Sequence, residues 1–135
     1  MTTSELMHQA DAIFRRVVAL AYGNTCRWCG KPGTESNPIV GHHNIPRDHK
    51  RYRYRLMNIL PVHFTGCHEQ IHGAPAAYLV WLEANANAWW QFYMKHKDEP
   101  RRTVLPYEWE EWVRELQDSE RELRESVLPR GDRRF

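Results

Sequence analysis

The 135-residue sequence has few cysteines and no long apolar segment. Its three cysteines are an odd number, and Cys26 and Cys29 are spaced as metal ligands often are, which argues against a disulfide scaffold. No run approaches the roughly eighteen apolar residues that a membrane-spanning helix needs, so we expect no membrane association. The first residues do not combine a basic region with an apolar stretch, as a secretion signal would. We therefore expect a cytoplasmic protein.

The chain also has little net charge, while histidine is abundant. Nineteen basic and seventeen acidic residues leave a formal charge of +2, and 41% of the residues are hydrophobic. This balance predicts a globular protein, and the length predicts a single domain over residues 1–135. Six of the eight histidines fall between residues 42 and 72. They are His42, His43, His49, His63, His68 and His72.

Hydrophobic periodicity predicts helices at both ends of the chain and short strands between them. An N-terminal helix (4–23) is capped by Ser4 and ended by Gly23, and its apolar residues recur at intervals of three and four. Short strands are predicted at 39–40, running into Gly41-His42-His43, and at 56–60, with a short helix at 67–72. One helix is predicted from Pro75 to about Lys97 and another from Pro106 through Val127, with a tail at 129–135.

The last helix combines a tryptophan-rich face with an acidic one. Residues 108–125 contain eight acidic residues and three arginines, which indicates a solvated face or, alternatively, a partner surface. Tryptophans in the C-terminal helices are typical of buried anchors, and they could also form a homodimer interface.

Four residues have the spacing of a zinc site. The segment Cys26-Arg27-Trp28-Cys29-Gly30 has the spacing of a zinc knuckle, a tight turn whose two thiolates bind one tetrahedral ion. His63 and Cys67 supply a second closely spaced pair. Four ligands leave no open position, so the zinc would be structural. The alternatives are a redox C-x-x-C pair, and a buried free Cys67 beside a surface His63.

A second metal site is predicted from three histidines. His68 and His72 are four residues apart, so a helix presents them on the same face. Together with His42 they could hold an ion that keeps open coordination positions, as a catalytic ion does. Three imidazoles favour Zn²⁺, Ni²⁺, Co²⁺ or Mn²⁺ over Mg²⁺.

These motifs, in this order, resemble the His-Asn-His (HNH) nuclease family over about residues 24–73. The motifs are Cys26-x-x-Cys29, Gly41-His42-His43, Asn58-Ile59-Leu60-Pro61, Cys67-His68 and His72. The resemblance implies a ββα-metal core with a zinc knuckle. Together with the helices predicted around it, including the C-terminal extension over 75–128, this core gives an α+β, mostly helical protein. The resemblance implies that His43 is the general base and that Asn58 orients the base or its loop, or binds the ion. Zinc-bearing members usually have four cysteines, whereas His63 takes the third position here.

The resemblance also implies hydrolysis of DNA, giving 5′-phosphate and 3′-hydroxyl ends, and a working ion that includes Mg²⁺ or Mn²⁺. In that case Asn58 could hold the ring of His43 through its amide. Small HNH proteins of this kind are often carried by phages.

A basic segment at 47–55 lies between His43 and Asn58. It holds five basic residues and one acid, interleaved with two tyrosines. Taken alone, this pattern also fits a solvated, twisted edge strand. Beside a catalytic site, the basic side chains would bind DNA phosphates and impose little sequence specificity. They are Arg47, Lys50, Arg51, Arg53 and Arg55.

The leading hypothesis is therefore a metal-dependent DNA endonuclease. The alternative is a zinc-stabilised DNA-binding module that keeps the fold and does not cleave. A redox or zinc-storage protein is a third interpretation, and the basic loop argues against it. His8, His49 and His96 receive no role at this stage.

Overall fold

A computed structural model describes the backbone of residues 1–133 and the side chains of residues 1–126. Within this part of the chain the protein is α+β and mostly helical, as predicted. It divides into two compact units, one formed by the two ends of the chain (1–23 with 103–135) and one by Asn24–Arg102. The single-domain organisation stays a prediction. None of the helices in the described residues has the length and apolar character that crossing a membrane requires.

The first unit is built from helices α1 (Thr3–Tyr22) and α5 (Pro106–Arg133), which pack on each other. The stripe from Leu6 to Val18 on α1 is buried, as are Trp109, Val113 and Leu116 on α5. The cap of α1 differs from the prediction. Thr2, not Ser4, is the N-cap, because its hydroxyl accepts from the N–H of Glu5 while the Glu5 carboxylate accepts from the N–H of Thr2.

The other boundaries of α1 and α5 follow the sequence pattern in part. Gly23 ends α1 with a φ of 74°, a conformation that glycine adopts readily. Helix α5 begins at Pro106 as predicted and includes part of the segment predicted as a tail. The side chain of Val127 and residues 134–135 lie outside the described residues.

The second unit contains a two-stranded antiparallel sheet followed by helix α2. Strand β1 (Ile39–His43) pairs with β2 (Ile59–His63), with His43 opposite Ile59 and Ile39 opposite His63. The sequence pattern predicts the second strand at 56–60, whereas residues 56–58 form a 3-10 turn and the strand runs through Pro61 to His63. A proline is tolerated there because each strand of a two-stranded sheet has an open edge. The segment 50–52 of the basic run is also a 3-10 turn, so the run is not an edge strand.

The predicted helix from Pro75 to Lys97 is two helices. Helix α2 (Cys67–Gly73) is followed by α3 (Pro75–Asn85) and α4 (Asn87–His96). The break falls at Ala86, which is buried and has φ −142°, ψ 60°. Contacts distant in sequence stabilise it, since Arg27 donates to the carbonyl of Asn85 (3.0 Å) and Trp89 donates to that of Ile59 (2.7 Å). Helical periodicity does not report such contacts, so the sequence pattern does not predict the break.

Candidate metal centres

The first candidate centre begins with a tight turn that brings Cys26 and Cys29 together. The N–H of Cys26 donates to the carbonyl of Lys31, and the N–H of Gly30 donates to that of Cys26, each over 2.9 Å. Gly30 has a φ of 80°, which a residue with a side chain adopts only with strain. The N–H of Arg27 donates to the carbonyl of Pro61 over 2.8 Å, which attaches the turn to β2.

His63 at the end of β2 and Cys67 at the start of α2 complete a group of four. All four candidate ligand atoms lie within 4.8 Å of one another. The Nδ1 atom of His63 is 3.3 Å from the Sγ of Cys29 and 3.6 Å from that of Cys67. Zinc bonds of about 2.3 Å to sulfur and 2.0 Å to nitrogen, at tetrahedral angles, separate the two atoms by about 3.5 Å. The Cys26, Cys29, His63 and Cys67 side chains therefore have the spacing of a structural zinc site.

The second ring nitrogen of His63 supports this assignment. Its Nε2 atom is 2.9 Å from the carbonyl oxygen of Pro32, which can only accept a hydrogen bond. A neutral ring that donates from Nε2 has its lone pair on Nδ1, the atom that faces the sulfurs. Zinc-binding histidines are commonly oriented in this way by a carbonyl or carboxylate.

The thiols of this centre ionise unequally. Burial opposes ionisation of Cys26, but three backbone N–H groups, among them that of Cys29, outweigh it and lower the pKa of Cys26 to about 6. Burial, reinforced by interactions with Cys26 and Cys29, raises the pKa of Cys67 to about 12. Three thiolates so close together repel one another, and a cation is needed to hold all three. The donor set thus fits a divalent ion that prefers sulfur and nitrogen.

The second candidate centre joins β1 to α2 through three histidines. The ligand atoms of His42, His68 and His72 lie within 4.8 Å of one another, and the Nε2 atoms of His68 and His72 are 3.0 Å apart. Two imidazole nitrogens on one ion lie about 3.0–3.4 Å apart at bond lengths near 2.1 Å. Among the described residues, only this set and the cysteine-rich one have such spacing.

Burial favours the neutral form of two of these histidines, His42 and His68. It lowers the pKa of His42 to about 3, with further lowering from the nearby histidines, and it also lowers the pKa of His68. Neutral imidazoles are the form that binds metal. His42 is 8% exposed, whereas His72 on α2 is exposed, so the set is open to solvent on the α2 side. An ion held here would keep positions for water or another ligand.

Tyr78 packs against His42 and is hydrogen-bonded to Asn44, two residues that carry no motif in the sequence. The buried ring of Tyr78 meets the ring of His42 edge-on at 5.1 Å between centroids, and its hydroxyl donates to the Oδ1 of Asn44 over 2.5 Å. Burial raises the pKa of Tyr78 far above its ordinary value, so the hydroxyl stays protonated. The helical periodicity of the sequence places Tyr78 with the apolar core residues, so it does not indicate the hydrogen bond of the hydroxyl.

His43 follows His42 and lies beside the loop that connects the strands. Its Nε2 atom is 3.0 Å from the carbonyl oxygen of Arg53. Because a carbonyl only accepts, the neutral ring donates from Nε2 and has its acceptor lone pair on Nδ1.

Asn58 links segments of this loop through hydrogen bonds to the backbone. It is fully buried, and its Oδ1 accepts from the N–H of Ile45 over 2.7 Å. Its Nδ2 donates to the carbonyls of Ile45 (3.0 Å) and Tyr52 (3.1 Å), which uses both of its N–H groups. The amide does not bond to the ring of His43, contrary to the role that the resemblance implies. Instead its N–H groups hold the backbone that leads to the Arg53 carbonyl.

The basic residues of the loop differ in exposure. Arg47, Lys50, Arg51 and Arg55 are exposed, whereas Arg53 is only 9% exposed and donates to the carbonyl of Arg47 over 3.3 Å. The Arg51 guanidinium is 3.7 Å from the carboxylate of Glu99, and that of Arg55 lies over the ring of Phe92. The structure thus makes Arg53 part of the interior of the loop, and four cations remain on its surface.

Two histidines without a sequence-based role connect this loop to the end of α4 and the residues after it. His49 is buried, and its Nε2 atom is 2.9 Å from the carbonyl oxygen of Glu99. His96 lies at the end of α4, and its Nδ1 atom is 2.9 Å from the hydroxyl of Tyr52. Their partners are more than forty residues away in sequence, so no local pattern could have identified them.

Comparisons of the chain with protein-family models, with curated proteins and with solved structures gave no match. The HNH resemblance therefore stays a prediction that depends on the residues themselves.

Proposed function

We propose that this protein is a metal-dependent endonuclease that hydrolyses phosphodiester bonds of DNA. The observation that carries the proposal is the convergence of His42, His68 and His72 on one point, with His43 next to them in β1. Three imidazoles that leave coordination positions open suit a catalytic ion better than a structural one. The HNH resemblance of the sequence assigns the same residues.

The ion that these histidines would hold could be Zn²⁺, Ni²⁺, Mn²⁺ or Mg²⁺, and it would neutralise charge on the scissile phosphate and on the departing oxygen. Imidazole ligands favour the first three.

His43 would act as the general base. In a neutral ring whose Nε2–H is donated to the Arg53 carbonyl, the lone pair is on Nδ1, and this atom would take a proton from the attacking water. The water oxygen then bonds to phosphorus, the bond from phosphorus to the 3′ oxygen breaks, and that oxygen takes a proton from solvent to become a 3′-hydroxyl. General-base catalysis of this kind contributes on the order of 10²–10⁴-fold to the rate.

The exposed cations of the β1–β2 loop would bind the DNA backbone. The loop whose Arg53 carbonyl bonds to His43 carries the exposed side chains of Arg47, Lys50 and Arg55. Phosphates bound to them would therefore lie near the base. Phosphate contacts carry little sequence information, and they make affinity depend steeply on salt. We therefore expect weak sequence specificity.

The test is nicking of supercoiled plasmid by zinc-loaded protein with added Mg²⁺, Mn²⁺, Ni²⁺ or Zn²⁺. We expect His43→Ala to lower the rate by about 10²–10⁴-fold while DNA affinity stays unchanged. His8→Ala, an exposed histidine on α1, is the matched control and should cleave like the wild type. Wild-type protein that binds DNA and cleaves with none of these ions would refute the nuclease and favour the DNA-binding module.

A further inference from the structure

The β1–β2 loop is attached to the end of α4 by a cluster of three polar side chains, Tyr52, His96 and Glu99. The Tyr52 hydroxyl donates to Oε2 of Glu99, and the Nδ1 of His96 lies 2.8 Å from Oε1 of the same carboxylate. The hydroxyl is also 2.9 Å from the His96 Nδ1. One carboxylate thus joins a residue of the loop to the last residue of α4.

The Tyr52 side chain of this cluster is buried among aromatic rings. Tyr52 is 2% exposed, and its ring packs against those of His49 (4.9 Å between centroids), His96 (4.7 Å) and Phe92 (5.6 Å). A hydroxyl in such surroundings costs free energy unless it is hydrogen-bonded, so the position of Tyr52 depends on its partners. Burial and the hydrogen bond to Glu99 raise the pKa of Tyr52, and hydrogen bonds from Tyr52 and His96 lower that of Glu99.

The backbone of Tyr52 leads directly to His43. Its carbonyl accepts from the Nδ2 of Asn58, and the next carbonyl along the chain, that of Arg53, lies 3.0 Å from the Nε2 of His43. The Arg53 carbonyl is therefore held by Asn58 through the backbone and by the cluster through the Tyr52 side chain. His49 adds a further attachment through the carbonyl of Glu99.

We propose that Tyr52, His96 and Glu99 are positioning residues that hold the Arg53 carbonyl against His43 and thereby set the tautomer and orientation of its ring. Their effect on the ring follows from the contacts alone. Their effect on catalysis depends on the nuclease function proposed above. None of the three needs to touch the substrate, since they act through the backbone of the loop.

The first arm of the test observes the His43 ring directly. Histidine ¹⁵N NMR of the zinc-loaded protein, at a constant pH at which His43 is neutral, reports which ring nitrogen carries the proton. In the wild type we expect the proton on Nε2. In Tyr52→Phe, which keeps the ring and its packing, and in Glu99→Gln, we expect a mixture of the two tautomers. Tyr93→Phe on α4 and Asp98→Asn beside Glu99 are the matched controls and should resemble the wild type.

The second arm measures nicking rates over a range of DNA concentrations. We expect kcat to fall about tenfold in Tyr52→Phe with KM within about twofold of wild type, since a reacting group misplaced by about 1 Å can cost about 10²-fold and a smaller displacement costs less. The double variant Tyr52→Phe/Glu99→Gln should be no slower than the slower single variant, because residues that act as a unit are not additive.

The two arms separate failure of this inference from failure of the proposed function. If the His43 signals of both variants match the wild type, the positioning role is wrong, whether or not the protein cleaves DNA. Wild-type protein without nuclease activity would refute the proposed function, and the NMR arm would still decide the role of the cluster. If Tyr52→Phe does not fold, Glu99→Gln alone provides the decisive measurement.

Discussion

Replacing Cys29 with serine tests the cysteine-rich centre most directly. Cys29 is exposed, so the change removes a candidate zinc ligand without creating a cavity. Its Sγ atom is 3.3 Å from the Nδ1 of His63, and a serine hydroxyl does not ionise to replace the thiolate. Zinc joins the turn at Cys26, the end of β2 and the start of α2 in this interpretation, so weaker binding should destabilise the whole 24–102 unit.

The expected size of the effect follows from linkage between binding and folding. An ion present at about 1,000 times its Kd stabilises the folded state by about 4 kcal/mol, and each tenfold loss of affinity removes about 1.4 kcal/mol. A loss of about 100-fold therefore costs about 2.7 kcal/mol. For a unit of this size the melting temperature falls by about 4–8 °C per kcal/mol, which gives a decrease of roughly 10–20 °C.

The assay combines metal analysis with thermal unfolding. Wild-type protein dialysed against a weak chelator should retain about one zinc per chain, and Cys29→Ser should retain clearly less. Because all three cysteines belong to the centre, the matched control is a histidine pair. His63→Asn should behave like Cys29→Ser, whereas His8→Asn should behave like the wild type. Equal zinc content and equal melting temperatures in wild type and Cys29→Ser would refute a structural zinc site.

Three further predictions concern other parts of the molecule. Asn58→Ala should lower the free energy of unfolding by about 3–5 kcal/mol, measured in urea, because it leaves one N–H and two carbonyls of the loop without their partner. His72→Ala should weaken Mn²⁺ or Ni²⁺ binding by at least about tenfold in calorimetry while the zinc content stays unchanged. Arg16 and Arg124 hold the pKa of Glu120 at about 2, below its ordinary value of 4.5, so Glu120→Gln should melt below the wild type at pH 7. This difference should shrink as the pH falls from 4.5 toward 2, because protonation removes the same charge from the wild type.

Each of these predictions has an outcome that contradicts it. Asn87→Ala, an exposed amide on α4, is the control for Asn58, and equal unfolding energies in the two variants would show that Asn58 does not hold the loop. Unchanged Mn²⁺ and Ni²⁺ affinity in His72→Ala would remove this residue from the second centre. A melting difference for Glu120→Gln that persists unchanged at pH 2 would mean that the ion pair with Arg16 is not its cause.

The sequence by itself determined the features that depend on short spacing. Cys26 and Cys29 share one turn, and His68 and His72 share one face of a helix, so the local chain geometry brings each pair together. The α1 pattern likewise predicted the buried residues from Leu6 to Val18. Such features involve neighbours within about one helical turn, and the spacing of the residues contains the necessary information.

The tertiary structure decided the features that involve partners far apart in the chain. The break at Ala86 depends on Arg27 and Trp89, and the amide of Asn58 bonds to the loop backbone rather than holding the His43 ring as expected. Burial of Arg53 and the attachment of Tyr52 to His96 and Glu99 are of the same kind. A buried polar group must find a partner, and which partner it finds depends on how distant segments pack. That packing leaves no periodic signal in the sequence.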